Sequence, residues 1–204
     1  MKILIQNCFH WIGYHYVNYF LEKGMVVKGV DQINTNKKEN LYMLVGRNSS
    51  FELMETFDPS DQVDVMLIIG KVDIPNNITC NRIIHIPIGN SPQKLPNTVV
   101  INPPILFGEW MDMNETGFYH DNHFITFDSD EFRRDAVHIH DFVQATYPVL
   151  NADVISQRID VLSKKIFLDD AVKLENSIYI RDNRPIEESL RKIKSHYQRY
   201  QQFY

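Results

Sequence analysis

The chain has 204 residues, 44% of them hydrophobic and 23% charged, with a formal net charge of -5, an ordinary globular composition of a size for one domain or one domain with a small appendage. The acidic balance argues against a dedicated nucleic-acid binder, which carries a strongly basic face, and no apolar run nears the roughly 20 residues that cross a bilayer. Cys8 and Cys80 stand alone without a C-x-x-C pair, which excludes a disulfide framework and reads as two reduced thiols in a cytoplasmic protein.

The opening MKILIQ enters a strand at once, without the apolar core of a secretory signal. Lys2 to Ile5 reads as a buried strand. Ile12 to Glu22 has helical spacing, with Gly24 as its C-cap. Met25 to Val30 is a second strand ending at Asp31, Lys37 to Val45 a second helix stopped near Gly46, and Phe51 to Met54 a third strand. Val63 to Ile69 is the continuous apolar run of a strand buried on both faces of a parallel sheet. Arg82 to Ile86 and Thr98 to Ile101 follow. This alternation is the signature of an open α/β sheet.

The second half is less regular. Residues 103 to 135 read as loops with short elements, and Asp141 to Leu150 as a helix broken near Pro148. Short strands are expected around Ile166 to Leu168 and Ser177 to Ile180. Pro185 to Tyr200 opens acidic and runs basic, the order the helix dipole favours. The reading divides the chain at 102/103, into a degenerate Rossmann-like domain and a small C-terminal α+β region on the substrate side.

The segment MKILIQNCFHWIGYHYVNYFLEKGMVVKGVDQIN resembles the opening of the extended short-chain dehydrogenases/reductases, the NAD-dependent sugar-nucleotide epimerases and dehydratases. These begin with a strand, a turn of the form T-G-x-x-G-F-I-G, a helix, and a second strand ending in Asp. Further segments resemble the family in register: FELMETFDPSD the third strand and its Asp, Val63 to Gly70 the fourth strand, and VVINPPILFGEW the R-P-x-x-V-Y-G segment. RDAVHIHDFV resembles R-D-F-V-H-V-D-D-V, and Arg184 to Tyr197 the closing helix.

The resemblance implies where a cofactor and a substrate would lie. Asn7, His10 and Gly13 stand where the family has its three glycines, which give the tight turn, the close approach to pyrophosphate and the helix-strand packing. Only Gly13 survives. With Trp11 and Ile12 at the helix start, Asp31 aligned with the ribose-binding acid and Asp58 near the adenine position, these residues form a degenerate cofactor site. The plainer reading of Asp31 is a strand end that caps a turn. The cleft would be lined by Ser91, Pro103, Phe107, Arg134 and His138. Arg134 suits a phosphate or carboxylate, or else an ion pair with Asp135 or Asp141.

Active members hold a Tyr-x-x-x-Lys pair between the fifth and sixth strands, where lysine tunes the tyrosine for proton transfer. Here that connection reads IGNSPQKLPN, without the pair and without room for its helix. The connections after the third and fourth strands are also too short for covering helices. The expected fold is therefore an α/β Rossmann-like parallel sheet with helices missing from one face. A bare parallel face would not stay wet, so either the C-terminal segments fold over it or a homodimer or protein partner does, with a sheet face or the aromatic C-terminal helix as contact.

Two clusters, His120-Asp121-His123 and His138-His140-Asp141, have metal-like composition. The second is already accounted for by the V-H-V-D-D resemblance and the first lies in a polar loop, so no metal is expected. The tail KIKSHYQRYQQFY suits a nucleic acid less well than a packed amphipathic helix carrying Ile193, Tyr197 and Tyr200. The expectation is a non-catalytic accessory or binding protein of a sugar-nucleotide or cell-surface polysaccharide pathway. It has no resident cofactor, NAD(P) being the one the resemblance implies, and a nucleotide sugar is its implied ligand. The alternatives are a residual NAD(P)-dependent epimerase, dehydratase or reductase, and a structural or assembly protein.

Overall fold

A computed structural model describes residues 1–57, 62–71, 80–89, 97–152, 156–163, 176–182 and 184–204. The chain divides into two compact units, Met1–Val100 and Ile101–Tyr204.

The first unit contains β1 (Lys2–Gln6), α1 (Trp11–Glu22), β2 (Val26–Val30), α2 (Asn36–Val45), β3 (Phe51–Met54), β4 (Val63–Ile69), β5 (Cys80–Ile86) and the start of β6 (Thr98–Asn102). The strands pair in parallel in the order β6-β5-β4-β1-β2-β3. Chain order reverses between β1 and β4, the switch point at whose carboxyl ends open α/β sheets bind ligands. Glycines end the first helix as expected: Gly24 is left-handed at φ 71°, and its N–H donates to Leu21 O at 2.9 Å.

Register assigns the two faces. Ile3, Val27 and Phe51 lie side by side, as do Ile5, Gly29 and Leu67. Phe9 meets both Phe51 and Tyr42 of α2 edge-on at 6.1 Å, so α1 and α2 cover this face, as right-handed crossovers require. The opposite face carries Leu4 beside Met66, and Gln6 beside Ile68 and Val30. Among the described residues of this unit, α1 and α2 are the helices. Yet Leu4, Met66 and Ile68 are fully buried, clustered with Val30, Phe57 and Val63. That face is covered within the chain itself, and each such side chain contributes about 2 kcal/mol. At the sheet's centre that face is not left wet, as the burial of a parallel sheet requires.

The second unit contains the end of β6, β7 (Leu106–Phe107), β8 (Gly117–His120), β9 (His123–Thr126), α3 (Asp130–Asp135), β10 (Val137–His138), α4 (Ile139–Thr146), β11 (Arg158–Ser163), β12 (Ser177–Ile180) and α5 (Ile186–Tyr200). Here the order is β12-β11-β6, with β7 beside β10 and β8 against β9. Residues 103–135, expected to be mostly loop, hold an antiparallel hairpin. Asp121 and Asn122 form its turn at φ 48° and 63°, the paired left-handed conformation of a two-residue hairpin. His120 and His123 close it as a cross-strand pair. Among the described residues no group of three or more His, Cys, Asp or Glu is placed to hold a metal ion.

The helix expected over Asp141 to Leu150 begins earlier, at Ile139, and tightens into a 3-10 turn at Tyr147–Leu150 around Pro148. β11 was not expected; its period-2 burial of Ile159, Val161 and Ser163 identifies it. The strand expected near Ile166 to Leu168 lies outside the described residues. α5 starts after Pro185 with Glu187 and Glu188 in its first turn and an i,i+4 Glu188–Lys192 pair at 2.8 Å. Ile193 and Tyr197 are buried and Tyr200 packs within the unit, so the helix turns its aromatic stripe inward. Among the described residues no helix is long and apolar enough to cross a membrane.

Candidate functional site

The switch point is built by the turn between β1 and α1. Asn7 takes the left-handed conformation at φ 59°, which Asn tolerates better than most residues. Its N–H donates to Val30 O at 2.9 Å, and its side-chain amide donates to Ile69 O at 3.2 Å. The asparagine thus ties the ends of β1, β2 and β4 together across the crevice. Gly13 packs so closely that a Cβ there would lie 2.5 Å from Asn7 O, the packing role of the third glycine.

Phosphate cradles work through backbone N–H groups left open at a helix start. Here several of these groups are engaged internally. Phe9 N–H donates to Asp31 Oδ2 at 2.8 Å, His10 N–H to Asn7 O at 3.1 Å, and Ile12 N–H to His10 Nδ1 at 3.3 Å. His10 is therefore the N-cap of α1 and its imidazole takes the acceptor's place over the first turn. Trp11 follows it, with its ring 6.1 Å from that of His10.

Asp31 is buried and its carboxylate accepts three hydrogen bonds. Besides Phe9 N–H, it accepts from Gln32 N–H at 2.8 Å and from Lys38 Nζ at 2.6 Å. Both side chains of the ion pair are largely shielded, at 5% and 22% exposure for Asp31 and Lys38. The oxygens that a ribose diol would use already carry three protein donors. Asp58 and Ser91 lie outside the described residues. Cys8, beneath the turn, is buried; burial, and then the charge of Asp31, push its thiol well above the usual range, which keeps it inert.

The second unit brings some of the expected cleft residues together. Phe107 meets Phe132 at 5.0 Å and the His138 ring at 5.3 Å, both edge-on. His138 repeats the device of His10: its Nδ1 accepts His140 N–H at 3.2 Å and caps α4. Its Nε2 lies 3.9 Å from Glu109. Arg134 turns away from this group and forms a bidentate pair with Asp135, both bonds at 2.8 Å, on an exposed surface where such a pair is worth little. Pro103 lies in the segment between β6 and β7, half-buried.

A Tyr-x-x-x-Lys spacing does occur in the chain, at Tyr19 and Lys23, where Lys23 Nζ stands 5.3 Å over the tyrosine ring. It sits at the C-terminal end of α1. At about 1.5 Å per residue it lies far along the helix from the turn and has no place in a site there.

Sequence reasoning missed Lys38, Glu109 and His85. His85 is buried on the second face of the sheet; its Nε2 is 2.8 Å from Gly70 O, and a carbonyl only accepts, so the ring hydrogen is on Nε2. Its Nδ1 has no partner among the described residues. Burial holds the imidazoles of His85 and His138 below the usual histidine value, with Gly70 O and Glu109 respectively opposing it. The unfolded chain therefore binds protons first on acidification. Their contribution is complete above about pH 6.5 and is lost as pH falls toward the lowered native values, by roughly 1 kcal/mol per pH unit for each fully shifted histidine. Melting temperatures from pH 7.5 to 5 should fall for the natural chain and less steeply for His85→Gln, whose amide keeps a donor for Gly70 O. Parallel slopes would remove His85 from the account.

No protein-family model matches this chain, and no curated protein matches it in sequence. Solved structures do match in fold. UDP-glucuronic acid 4-epimerase from Bacillus cereus in complex with NAD is similar at TM-score 0.64 and 14% identity, over 98% of each chain. dTDP-glucose 4,6-dehydratase from Bacillus anthracis in complex with NAD gives 0.62 and 10%, over 100% of this chain and 98% of that one. Yeast methylglyoxal/isovaleraldehyde reductase complexed with NADPH gives 0.58 and 11%, over 100% of both. The chain thus has the Rossmann-type α/β fold that these solved structures share.

Proposed function

We propose that this chain is a non-catalytic Rossmann-like protein, an accessory or binding component of sugar-nucleotide chemistry that has given up dinucleotide binding. One observation carries the reading: Asp31 is bonded to Phe9 N–H, Gln32 N–H and Lys38 Nζ. A ribose would have to compete with these donors for the carboxylate, which offers about four acceptor positions in all, and the His10 cap would have to break before Ile12 N–H could meet phosphate. The substrate side is an expectation from fold likeness: neighbours named for UDP-glucuronic acid and dTDP-glucose point to a nucleotide sugar as the ligand class. A homodimer remains the proposed working form in the cytoplasm; light scattering that returns the mass of one chain at micromolar concentration rejects it.

Thermal shift with millimolar NAD, NADP and UDP-glucose tests the central claim. Neither dinucleotide should raise the melting temperature by more than about 1 °C. Ligand at a hundred times its Kd adds about 2.7 kcal/mol, so a rise of several degrees with NAD or NADP overturns the proposal in favour of a residual enzyme. A rise with UDP-glucose alone supports the accessory reading.

A further inference from the structure

His138 and Glu109 face one another in the second unit without bonding. His138 ends β10, where it pairs in register with Phe107 of β7, and the neighbouring Val137 N–H donates to Ile105 O at 2.8 Å. Glu109 follows shortly after β7. Beside it, the left-handed backbone of Trp110, at φ 67°, is tied through its N–H to the Tyr204 hydroxyl at 2.9 Å. Both side chains thus stand on fastened backbone, as a precise site requires. Both are partly open, at 18% exposure for His138 and 29% for Glu109.

The helix cap sets the chemistry of the pair. His138 Nδ1 accepts His140 N–H at 3.2 Å, so the neutral ring holds its hydrogen on Nε2. The cap, with Phe107 edge-on at 5.3 Å, also fixes the ring plane. Burial lowers this imidazole's proton affinity, so the ring is neutral in neutral solution. Nε2–H is then a donor and Glu109 Oε2 an acceptor, 3.9 Å apart, too far for a bond between them. A hydroxyl oxygen at about 2.8 Å from each atom subtends roughly 90° there, so one hydroxyl can accept from Nε2–H and donate to the carboxylate at once. A carboxylate offers about four acceptor positions, so Glu109 can take this bond beside others it makes.

Charge decides which group belongs there. Besides Glu109, the charges acting on His138 are those of Asp141 and His140 on α4 and of Arg184 ahead of α5. Two carboxylates against one guanidinium disfavour a phosphate or a carboxylate. Arg134, the residue expected to take an anion, is committed to Asp135. A neutral hydroxyl satisfies both His138 and Glu109.

We infer that His138 and Glu109 hold a neutral sugar hydroxyl between them, Nε2–H donating to it and the Glu109 carboxylate accepting from it. The contact follows from the geometry of the pair, and the sugar from the nucleotide-sugar reading above, on which this inference rests.

The test uses the full chain at about pH 7.5. NMR couplings that separate Nδ1 from Nε2 report the histidine rings while glucose, UDP-glucose, UDP and inorganic phosphate are titrated, and calorimetry gives the affinities. The free chain should show the His138 hydrogen on Nε2. Its signals should shift saturably with glucose and UDP-glucose, and stay in place with UDP and phosphate. His138→Asn keeps a capping oxygen but loses the donor, and Glu109→Ala loses the acceptor. Each should weaken UDP-glucose by about fivefold or more, the worth of one hydrogen bond, with circular dichroism confirming the fold. A hydrogen on Nδ1, a ring that no sugar moves, or one that UDP or phosphate moves as much, overturns the inference. UDP-glucose binding with His138 unmoved and both variants at parental affinity also overturns it, yet leaves the nucleotide-sugar reading standing. Glucose moving His138 while UDP-glucose binds no better than glucose supports the hydroxyl contact and rejects that reading. Should Glu109→Ala fail to fold, His138→Asn decides.

Discussion

Asp31→Ala is expected to lower the unfolding free energy by about 3 kcal/mol, the largest effect of any single polar substitution in the first unit. The carboxylate holds three segments at once: the turn through Phe9 N–H, the β2 exit through Gln32 N–H, and α2 through Lys38 Nζ. Truncation leaves Phe9 N–H, on a residue only 1% exposed, without an acceptor, at a cost of about 1–3 kcal/mol. It also strips Lys38 of its counter-charge. That ammonium is 22% exposed and can recover part of its hydration, so its share is nearer 1 kcal/mol than the several of a deeply buried pair. In a chain of this length the sum corresponds to a fall of roughly 6–12 °C in melting temperature.

Asp31→Asn separates the two parts. Its amide oxygen can still accept Phe9 N–H, so about 1 kcal/mol should be lost, and a cycle with Lys38→Met should return a coupling of about 1 kcal/mol. A residue held open for a ligand behaves in the opposite way, since its replacement costs little stability or increases it. An unchanged melting temperature in Asp31→Ala would therefore sink the structural assignment and return Asp31 to ligand contact.

The strands of the first unit were legible because buried parallel strands write themselves as unbroken apolar runs. Val63 to Ile69 needs no tertiary information to be recognised. The hairpin at Gly117 to Thr126 was hidden because its turn is Asp121-Asn122 rather than a glycine pair, and because Tyr119 and Phe124 blur the alternation. His10 and His138 were singled out in the sequence, yet the capping work they do was not readable. A histidine acting as N-cap through Nδ1 lies outside the usual Ser, Thr, Asp and Asn signals, and both His10 and His138 do this. Lys38 escaped for another reason. Its partner is seven residues away across a turn, and only the geometry of β2 running into α2 brings its ammonium to Asp31.

Gly13→Ala is the second large effect, and here two physical terms have opposite signs. Within a helix, alanine is favoured over glycine by about 1 kcal/mol. At this position the added Cβ would stand 2.5 Å from Asn7 O and 3.1 Å from Cys8 Cα and O. All three are backbone atoms, and the turn that carries them cannot yield, because Asn7 is fixed at both ends by bonds to Val30 O and Ile69 O. α1 must instead lift off β1, at an overpacking cost of about 3 kcal/mol, which leaves a net loss of about 2 kcal/mol by urea unfolding. Gly29→Ala supplies the contrast. Its Cβ would meet Cys8 Sγ at 2.6 Å and the Phe51 ring at 3.0 Å, both side-chain atoms, so Cys8→Ala should recover much of the loss there and none of it at Gly13. If Gly13→Ala proves as stable as the parent chain, the turn is not the rigid support described, and the internal bonds at the switch-point crevice would be free to rearrange around a ligand.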